Sequence, residues 1–204
     1  MTLFNEYRPS NNILTKDGIA NYCGKILSSE EANQYFELLM QNIQWENDEL
    51  VFFGKHVTTK RKVAWYGNSE YLYTYSNATK RALAWTKELS ELKQIVEELA
   101  AGGIKFNSCL LNLYHNGNEG MGWHSDDEKS LGKNNTTIAS LSFGAERKFS
   151  FKHKQTKQTV SLVLEHGSLL IMKGATQSNW LHSLPKSKNI GQPRINLTFR
   201  TIHE

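Results

Sequence analysis

The segment Arg194-Ile195-Asn196-Leu197-Thr198-Phe199-Arg200 alternates four polar side chains with three apolar ones. Successive side chains of a β-strand point to opposite faces, so this pattern predicts a strand with one apolar face and one polar, doubly cationic face. The apolar face is expected to pack into a core. Two arrangements of the polar face remain open, since it can lie on the surface with two exposed arginines or line the cavity of a rolled β fold.

Similar alternation recurs along the C-terminal half of the chain. Phe149 and Phe151 alternate with polar residues, and Asn112 and Tyr114 alternate with leucines. A period of two predicts antiparallel strands. We expect six of them, over residues 106–115, 136–143, 147–152, 159–164, 168–173 and 194–202. Six strands are enough for a sandwich or a jelly roll.

The N-terminal half predicts helices. Ser28 and Glu31 form the pattern of a capping box, and the apolar residues that follow recur at helical spacing. A second helix is predicted from about Thr79 to Ala101, where two glycines end it. This order predicts a mainly β fold with flanking helices (α+β). We expect one domain over residues 1–204, with an N-terminal part to about 105 and a β core over about 106–202.

Composition predicts an ordinary globular protein, because 39% of the 204 residues are hydrophobic and 22% are charged. The two cysteines, Cys23 and Cys109, exclude a disulfide framework and a zinc cluster. They fit a reducing, cytoplasmic setting, which is nucleoid-associated if bacterial and nuclear if eukaryotic. Neither secretion nor a membrane partner is expected, because no apolar run is long enough to cross a bilayer. We expect a monomer, and the net charge of +4 permits a polyanionic partner without requiring one.

Three dispersed residues form a candidate metal site. His124 and Asp126 lie at i and i+2, so in an extended segment they point to the same side and can bind one ion, although a surface turn is the alternative. His182 lies in another segment of the predicted β core and can converge with them. Two imidazoles and one carboxylate suit Fe(II), because three positions stay open for a bidentate cosubstrate and dioxygen. A structural zinc site would close its fourth position.

The polar face of the alternating strand can bind an anion. Its two arginines lie at i and i+6, with an amide and a hydroxyl between them. Arginine binds carboxylates bidentately, so this face suits a small dicarboxylate such as 2-oxoglutarate. An amide and a phenol on the strand near residue 113 could complete the pocket. The candidate cosubstrate residues are Asn112, Tyr114, Arg194, Asn196, Thr198 and Arg200.

Six motifs together resemble the AlkB family of nucleic-acid demethylases, within the wider 2-oxoglutarate- and Fe(II)-dependent oxygenases. They are Asn-Leu-Tyr at 112–114, His-Ser-Asp-Asp-Glu at 124–128, Ser-Phe-Gly-Ala at 142–145, His-Gly-Ser-Leu-Leu at 166–170, His-Ser-Leu-Pro at 182–185 and Arg-Ile-Asn-Leu-Thr-Phe-Arg at 194–200. The resemblance covers roughly Val51 to Ile202. It implies a double-stranded β-helix (jelly-roll) core, Fe(II) on the two histidines and Asp126, and 2-oxoglutarate on the six candidate residues, with Arg194 at its distal carboxylate.

The resemblance also implies a reaction. Oxidation of 2-oxoglutarate to succinate and CO2 is coupled to hydroxylation of a methyl group on a base nitrogen, and the product releases formaldehyde. The implied substrates are 1-methyladenine and 3-methylcytosine in alkylated DNA, with RNA as an alternative. Such a nitrogen is hidden in a duplex, so the base must be unpaired or flipped out.

Three further pieces resemble the nucleotide-recognition lid of the duplex-DNA-acting members of the family. They are Phe52-Phe53-Gly54-Lys55, Arg61-Lys62 and Tyr71-Leu72-Tyr73-Thr74-Tyr75-Ser76. By this resemblance Phe53 inserts into the base stack and Tyr75 stacks on the flipped base opposite His124. The implied substrate-binding residues are Phe53, Gly54, Lys55, Arg61, Tyr73, Thr74, Tyr75, Asp127 and Glu128.

These residues have different implied roles. Tyr73, Asp127 and Glu128 hydrogen-bond the base edge, whereas Lys55 and Arg61 contact phosphates. The alternative is that the aromatic residues only pair across ordinary strands. Val63 stands where the duplex-acting members have a polar group, and Tyr75 replaces a phenylalanine, so lesion preference and strand choice can differ.

Two competing functions remain open at this point. An oxygenase with the same site can act on RNA, a protein side chain or a small molecule. A non-catalytic nucleic-acid-binding module would keep the metal site without turnover.

Overall fold

The computed structural model describes residues 12–52, 55–69, 71–75, 78–100, 102–131 and 136–203; the side chains of residues 50–52, 55–57, 72–75, 78–80 and 129 lie outside this description. The helices in this part are α1 (Ser29–Asn42), α2 (Lys87–Ala100) and α3 (Thr176–Asn179). The strands are β1 (Ile19–Lys25), β2 (Glu46–Phe52), β3 (Lys55–Gly67), β4 (Leu72–Tyr75), β5 (Ala78–Arg81), β6 (Leu83–Ala84), β7 (Ser108–Tyr114), β8 (Met121–His124), β9 (Ile138–Gly144), β10 (Arg147–His153), β11 (Thr159–Leu164), β12 (Ser168–Lys173), β13 (Trp180–Leu184) and β14 (Arg194–Arg200).

The larger sheet has β14 near its middle. Its strand order is β1-β12-β9-β14-β7-β3-β2, and β6 pairs with β3 in parallel. β14 is antiparallel to both neighbours, so Asn196 lies opposite Asn112 of β7 and Ser142 of β9. This register places polar side chains of three adjacent strands on one face of the sheet.

The smaller sheet has the order β11-β10-β13-β8 and faces the larger one. Phe149, Phe151 and Trp180 of the smaller sheet pack with Leu170 and Met172 of the larger sheet between the two. The other face of the larger sheet packs through apolar residues such as Leu197 against α1 and α2. Two facing antiparallel sheets with helices on one side form a jelly-roll core, which confirms the predicted fold class.

The first predicted helix is correct at its start. Ser28 accepts a hydrogen bond from the Glu31 backbone N–H, and the Glu31 carboxylate accepts one from the Ser28 backbone, so the capping box is present. This arrangement satisfies two backbone donors that a helix start otherwise leaves free.

The second predicted helix begins later than expected. Residues 78–81 and 83–84 form strands, and α2 starts only at Lys87, where the Thr86 hydroxyl accepts a hydrogen bond from the Leu89 N–H. The apolar stripe of α2 begins at Leu89, so helical spacing supplied no support for a start at Thr79. Gly102 and Gly103 have positive φ angles, as a helix end requires.

Strands of the N-terminal half also join the core. β1, β2 and β3 all lie in the larger sheet, so the division predicted near residue 105 does not coincide with a break in the sheet. The sequence predicted helices and a recognition lid in this part and did not predict these strands, because the 13-residue β3 does not alternate regularly between polar and apolar side chains. Among the described residues, no helix has the length and apolarity to span a bilayer.

Candidate active site

Adjacent strands of the smaller sheet bring two histidines together. His124 ends β8, and His182 lies directly opposite it on β13, although the two are 58 residues apart in the chain. Their ring centroids are 4.2 Å apart. The ring of Phe149, on β10, stacks on His182 at 5.5 Å. Cross-strand pairing therefore aims both imidazoles into the space between the sheets.

Asp126 reaches the histidines from the segment that follows β8. Its Oδ1 lies 3.8 Å from His124 Nε2. Its backbone N–H donates to Gln177 Oε1 at 3.0 Å, and Arg200 Nη2 donates to its Oδ2 at 2.9 Å. The ligand atoms of the three side chains all lie within 4.8 Å of one another. The predicted triad is therefore assembled, although Asp126 is not part of a strand.

The charge states of these residues suit a metal ion. Burial would raise the pKa of the Asp126 carboxyl, but the Arg200 guanidinium and the two imidazoles lower it by more. Burial lowers the pKa of His182 to about 4, so its imidazole is neutral at physiological pH. The Nδ1 of His124 donates to the Gly122 carbonyl at 2.9 Å, which leaves Nε2 free to bind a metal.

This donor set fits Fe(II). It offers two imidazole nitrogens and one carboxylate oxygen, and no fourth histidine, cysteine or carboxylate belongs to the cluster within the described residues. Three protein ligands leave the remaining octahedral positions for other molecules. A closed structural zinc site would require one more ligand.

The polar face of β14 lines the interior and is not on the surface. Arg194, Asn196 and Thr198 are all buried. Arg194 Nη2 donates to Ser142 Oγ at 2.9 Å and to Asn196 Oδ1 at 2.8 Å, and Asn196 donates to Thr198 Oγ1 at 2.9 Å. Ser140 adds a hydrogen bond to Asn196 at 2.9 Å. This network fixes the orientation of the Arg194 guanidinium.

Arg194 is a buried cation that can bind a carboxylate. Its side chain is 2% exposed, and burial lowers its pKa to about 10. Its Nε has no hydrogen-bond partner, and no ion pair of Arg194 is found in the described part of the chain. The Tyr114 ring lies 5.7 Å from the guanidinium carbon. Buried charges are normally paired, so this guanidinium fits an anionic ligand.

One cavity of about 190 Å³ joins the two groups of residues. It is lined by the triad, by Ser140, Phe149 and Met172, and by all six candidate cosubstrate residues, Asn112, Tyr114, Arg194, Asn196, Thr198 and Arg200. Hence a dicarboxylate on Arg194 and a metal on His124, Asp126 and His182 would share this space.

A second cavity of about 170 Å³ adjoins the first. The two share Leu110, Asn112, Met121, Glu128 and Arg200 in their walls. The second cavity is lined further by β2 and β3, through Asp48, Arg61, Val63 and Trp65. We call it the outer chamber.

Arg61 faces this outer chamber. Its side chain is buried, and Nη2 forms an ion pair with the Asp48 carboxylate. Nη1 contacts Met121 Sδ at 3.3 Å. Arg61 is thus paired with Asp48 in the free protein, and its phosphate contact remains a prediction.

The two acidic residues after Asp126 differ in position. Glu128 lines both cavities, lies 3.7 Å from Arg200, and has its pKa raised by burial. Asp127 is exposed and bonds to Ser125 at 3.0 Å and Lys154 at 3.4 Å. Asp127 does not line either cavity, and its contact with the base edge remains a prediction.

Most of the predicted lid cannot be placed at the level of side chains. Phe53 and Gly54 lie outside the described residues. Lys55 begins β3, and Tyr73, Thr74 and Tyr75 belong to β4, which pairs with β5, but only their backbone is described.

Several site residues were not expected from the sequence. Gln177 positions Asp126, Ser140 and Ser142 bind the β14 network, and Asp48 pairs with Arg61. The sequence does indicate the two serines, because they alternate with apolar residues in β9. No sequence pattern indicates Gln177 or Asp48, because a short helix brings Gln177 to the site and an irregular strand pair brings Asp48 there.

A family model described as the 2OG-Fe(II) oxygenase superfamily matches residues 20–200. The alpha-ketoglutarate-dependent dioxygenase alkB homolog 3 of Bos taurus is 41% identical over 89% of this chain and 65% of its own length. The Homo sapiens protein of that name is 39% identical over 93% of this chain and 69% of its own length. The DNA oxidative demethylase ALKBH2 of Homo sapiens is 37% identical over 87% of this chain and 71% of its own length.

The fold has a counterpart among solved structures. The structure of OsALKBH1 superposes with a TM-score of 0.62 at 14% identity, over 92% of this chain and 98% of that one. At this identity the likeness concerns the fold alone. The chain spans about two thirds of the length of the curated relatives it matches. The predicted family, fold class and cofactors agree with these matches, and the chain belongs to the AlkB family of 2-oxoglutarate- and Fe(II)-dependent dioxygenases.

Proposed function

We propose that the protein is an oxidative demethylase that repairs N-alkylated bases in DNA, with 1-methyladenine and 3-methylcytosine as substrates. The observation that carries this proposal is the pair of adjoining cavities. One contains the metal ligands and the dicarboxylate receptor, and the other is free for the substrate. Glu128 and Arg200 stand in the wall between them.

The residues of the first cavity hold the reactants in place. Arg194 would bind the distal carboxylate of 2-oxoglutarate, and the triad would hold Fe(II). Together with dioxygen, these cofactors supply oxidation of an N-methyl group, with release of succinate, CO2 and formaldehyde. Arg200 keeps Asp126 ionised and oriented through its 2.9 Å hydrogen bond. Leu110, Met121 and Phe149 give the site apolar walls that exclude water.

The outer chamber suits a cationic base with an exocyclic amine. A methyl group on N1 of adenine or N3 of cytosine leaves the ring positively charged, with the amine beside the methylated nitrogen. Glu128 can accept a hydrogen bond from this amine, because it lines both cavities. Asp48 adds a second carboxylate and neutralises Arg61, so the chamber does not repel a cation.

DNA is the polymer we propose, and this rests on relatives named DNA oxidative demethylase. The preference for duplex DNA that the lid motifs imply remains a prediction, since Phe53 lies outside the described residues. A single catalytic domain and a monomer also remain predictions.

The test is incubation with Fe(II), 2-oxoglutarate, ascorbate and oligonucleotides that carry 1-methyladenine or 3-methylcytosine. Mass spectrometry should show loss of one methyl group from DNA, and matched RNA strands should react more slowly. His182→Ala should abolish the reaction. His115→Ala is the control, because this imidazole is paired with Glu119 outside the cavity and its loss should leave turnover unchanged. Consumption of 2-oxoglutarate without methyl loss would contradict repair but not the oxygenase.

A further inference from the structure

An exposed tryptophan stands directly beside the metal ligands. Trp123 precedes His124 in β8 and is 42% exposed. It is the only aromatic residue among the four large apolar side chains that are exposed in the described part of the chain. Tryptophan is enriched at interfaces, where its large ring packs against a partner. Trp123 is therefore a candidate for contact with another molecule.

The position of β8 places Trp123 at the rim of the active site. β8 ends the order of the smaller sheet, with β13 as its one partner strand among the described elements. Met121 and His124 of this strand line the cavity, whereas Trp123 does not. Trp123 therefore lies next to a metal ligand in the chain, on a strand at the end of the smaller sheet.

The Trp123 ring has a lysine against it, on a sheet whose strands carry basic but no acidic side chains. Lys152 of β10 holds its Nζ 4.3 Å from the centroid of the Trp123 ring. Strands β8, β10, β11 and β13 contain no acidic residue. Residues 147–203 contain seven lysines and a single acidic residue, Glu165; of their three arginines, Arg147 and Arg194 are buried and Arg200 is paired with Asp126. Such a surface attracts a phosphate backbone.

We propose that Trp123 stacks on the base that neighbours the lesion in single-stranded DNA, while Lys152 lies near the adjoining phosphate. The inference rests on the proposed function, because it takes the lesion to occupy the outer chamber. Exposed aromatic rings combined with lysines are the usual means of binding single strands without sequence preference. A duplex would not supply this base, since its bases are stacked and paired with each other. Trp123 would thus favour unpaired DNA next to the lesion.

The experiment measures binding of a labelled strand of nine nucleotides with a central 3-methylcytosine, by fluorescence anisotropy. Mn(II) replaces Fe(II), with 2-oxoglutarate present, so that binding occurs without turnover. A second strand carries abasic positions on both sides of the lesion. Trp123→Ala removes the ring and Trp123→Phe keeps a smaller one. Val163→Ala is the matched control, because Val163 is 50% exposed on the same sheet.

We expect Trp123→Ala to bind the intact strand about tenfold more weakly than the native protein, which corresponds to the loss of one stacked base. Trp123→Phe should recover most of this loss, and Val163→Ala should show none. On the strand with abasic neighbours, Trp123→Ala should bind as well as the native protein.

Equal binding of Trp123→Ala and the native protein to the intact strand would overturn the inference. A loss of the same size on both strands would also overturn it, because the ring would then act without the neighbouring base. Another outcome is that the native protein binds the strands as expected for stacking but fails to demethylate the intact strand. This result would refute the repair function and support the stacking site. If the native protein demethylates the intact strand and Trp123→Ala binds it as tightly as the native protein does, the stacking site is refuted and the repair function is supported.

Discussion

Replacement of Arg194 by methionine separates binding of 2-oxoglutarate from stability of the fold. Arg194 is buried, its guanidinium is held by Ser142 and Asn196, and no ion pair of this residue is found in the described part of the chain. Methionine keeps much of the volume and removes the charge. We therefore expect the variant to fold with nearly native stability but to bind 2-oxoglutarate poorly.

The magnitudes follow from the environment of the guanidinium. Burial lowers its pKa from the usual arginine value to about 10, and at about 1.4 kcal/mol per pKa unit this burial costs about 3 kcal/mol. The two hydrogen bonds lost with Arg194 contribute about 1 kcal/mol each. The free energy of unfolding without ligands should thus change by only about 1 kcal/mol. Two charge-assisted bonds to a carboxylate, at about 2 kcal/mol each, predict a loss of about 1000-fold in 2-oxoglutarate affinity.

The assay is titration calorimetry of 2-oxoglutarate into the Mn(II)-loaded protein, together with urea unfolding of the free protein. Arg147→Met is the matched control. Arg147 is also buried, but its Nη2 donates to the backbone carbonyls of Glu119 and Pro185 at 2.9 Å each. Its loss leaves two carbonyls without this donor, which should cost about 2 kcal/mol of stability and change the affinity by less than about threefold.

The reasoning is refuted if Arg194→Met binds 2-oxoglutarate with native affinity. It is also refuted if the two variants exchange their effects, with Arg147→Met losing affinity and Arg194→Met losing stability. Either result would mean that Arg194 is a structural cation and that the dicarboxylate binds elsewhere.

Three other predictions concern the metal site and the outer chamber. His182→Ala should remove one of three ligands and lower metal content, measured by elemental analysis, while circular dichroism stays native; a full complement of iron would contradict the triad. Asp48→Asn should lower the free energy of unfolding by about 3 kcal/mol, because Arg61 is then buried without its carboxylate. The double variant Asp48→Asn with Arg61→Met should recover most of this free energy. Additive losses of the two substitutions in urea unfolding would contradict the ion pair. In the unfolded chain His182 is protonated as the pH falls through about 6.5, whereas its pKa in the folded protein is about 4. The free energy of unfolding of the metal-free protein should therefore fall by up to about 3 kcal/mol between these two pH values. His182→Gln should flatten the loss, measured as urea midpoints from pH 7.5 to pH 4.

The strands that alternate cleanly could be predicted from the sequence. β14 does so over its whole length, and its neighbour β7 shows the same pattern around Asn112 and Tyr114. Because β14 is paired on both sides, one face must enter the helix-side core and the other must face the smaller sheet. The polar face is then enclosed between the sheets, where Arg194, Asn196 and Thr198 are buried, and this decides between the two arrangements that the pattern left open.

The N-terminal strands could not be predicted in the same way. β2 and β3 pair with a register shift between Asn47 and Glu49, so three residues of β3 stand opposite Asp48. Such bulges redirect side chains and break the period of two. The pairing of Asp48 with Arg61 depends on this local geometry, and the spacing of the two residues in the sequence does not predict it.

Arg61 shows that a motif match can bring a residue to the site without predicting the partner that it has in the fold. A cationic residue in a lid that resembles a DNA-binding element is expected to meet a phosphate, since phosphates account for most contacts between proteins and DNA. Here the bulge in β3 turns the guanidinium inward, where burial requires a carboxylate partner, and Asp48 provides it. The positive charge of Arg61 is thus neutralised inside the outer chamber, whereas Lys152 places positive charge on the smaller sheet beside Trp123.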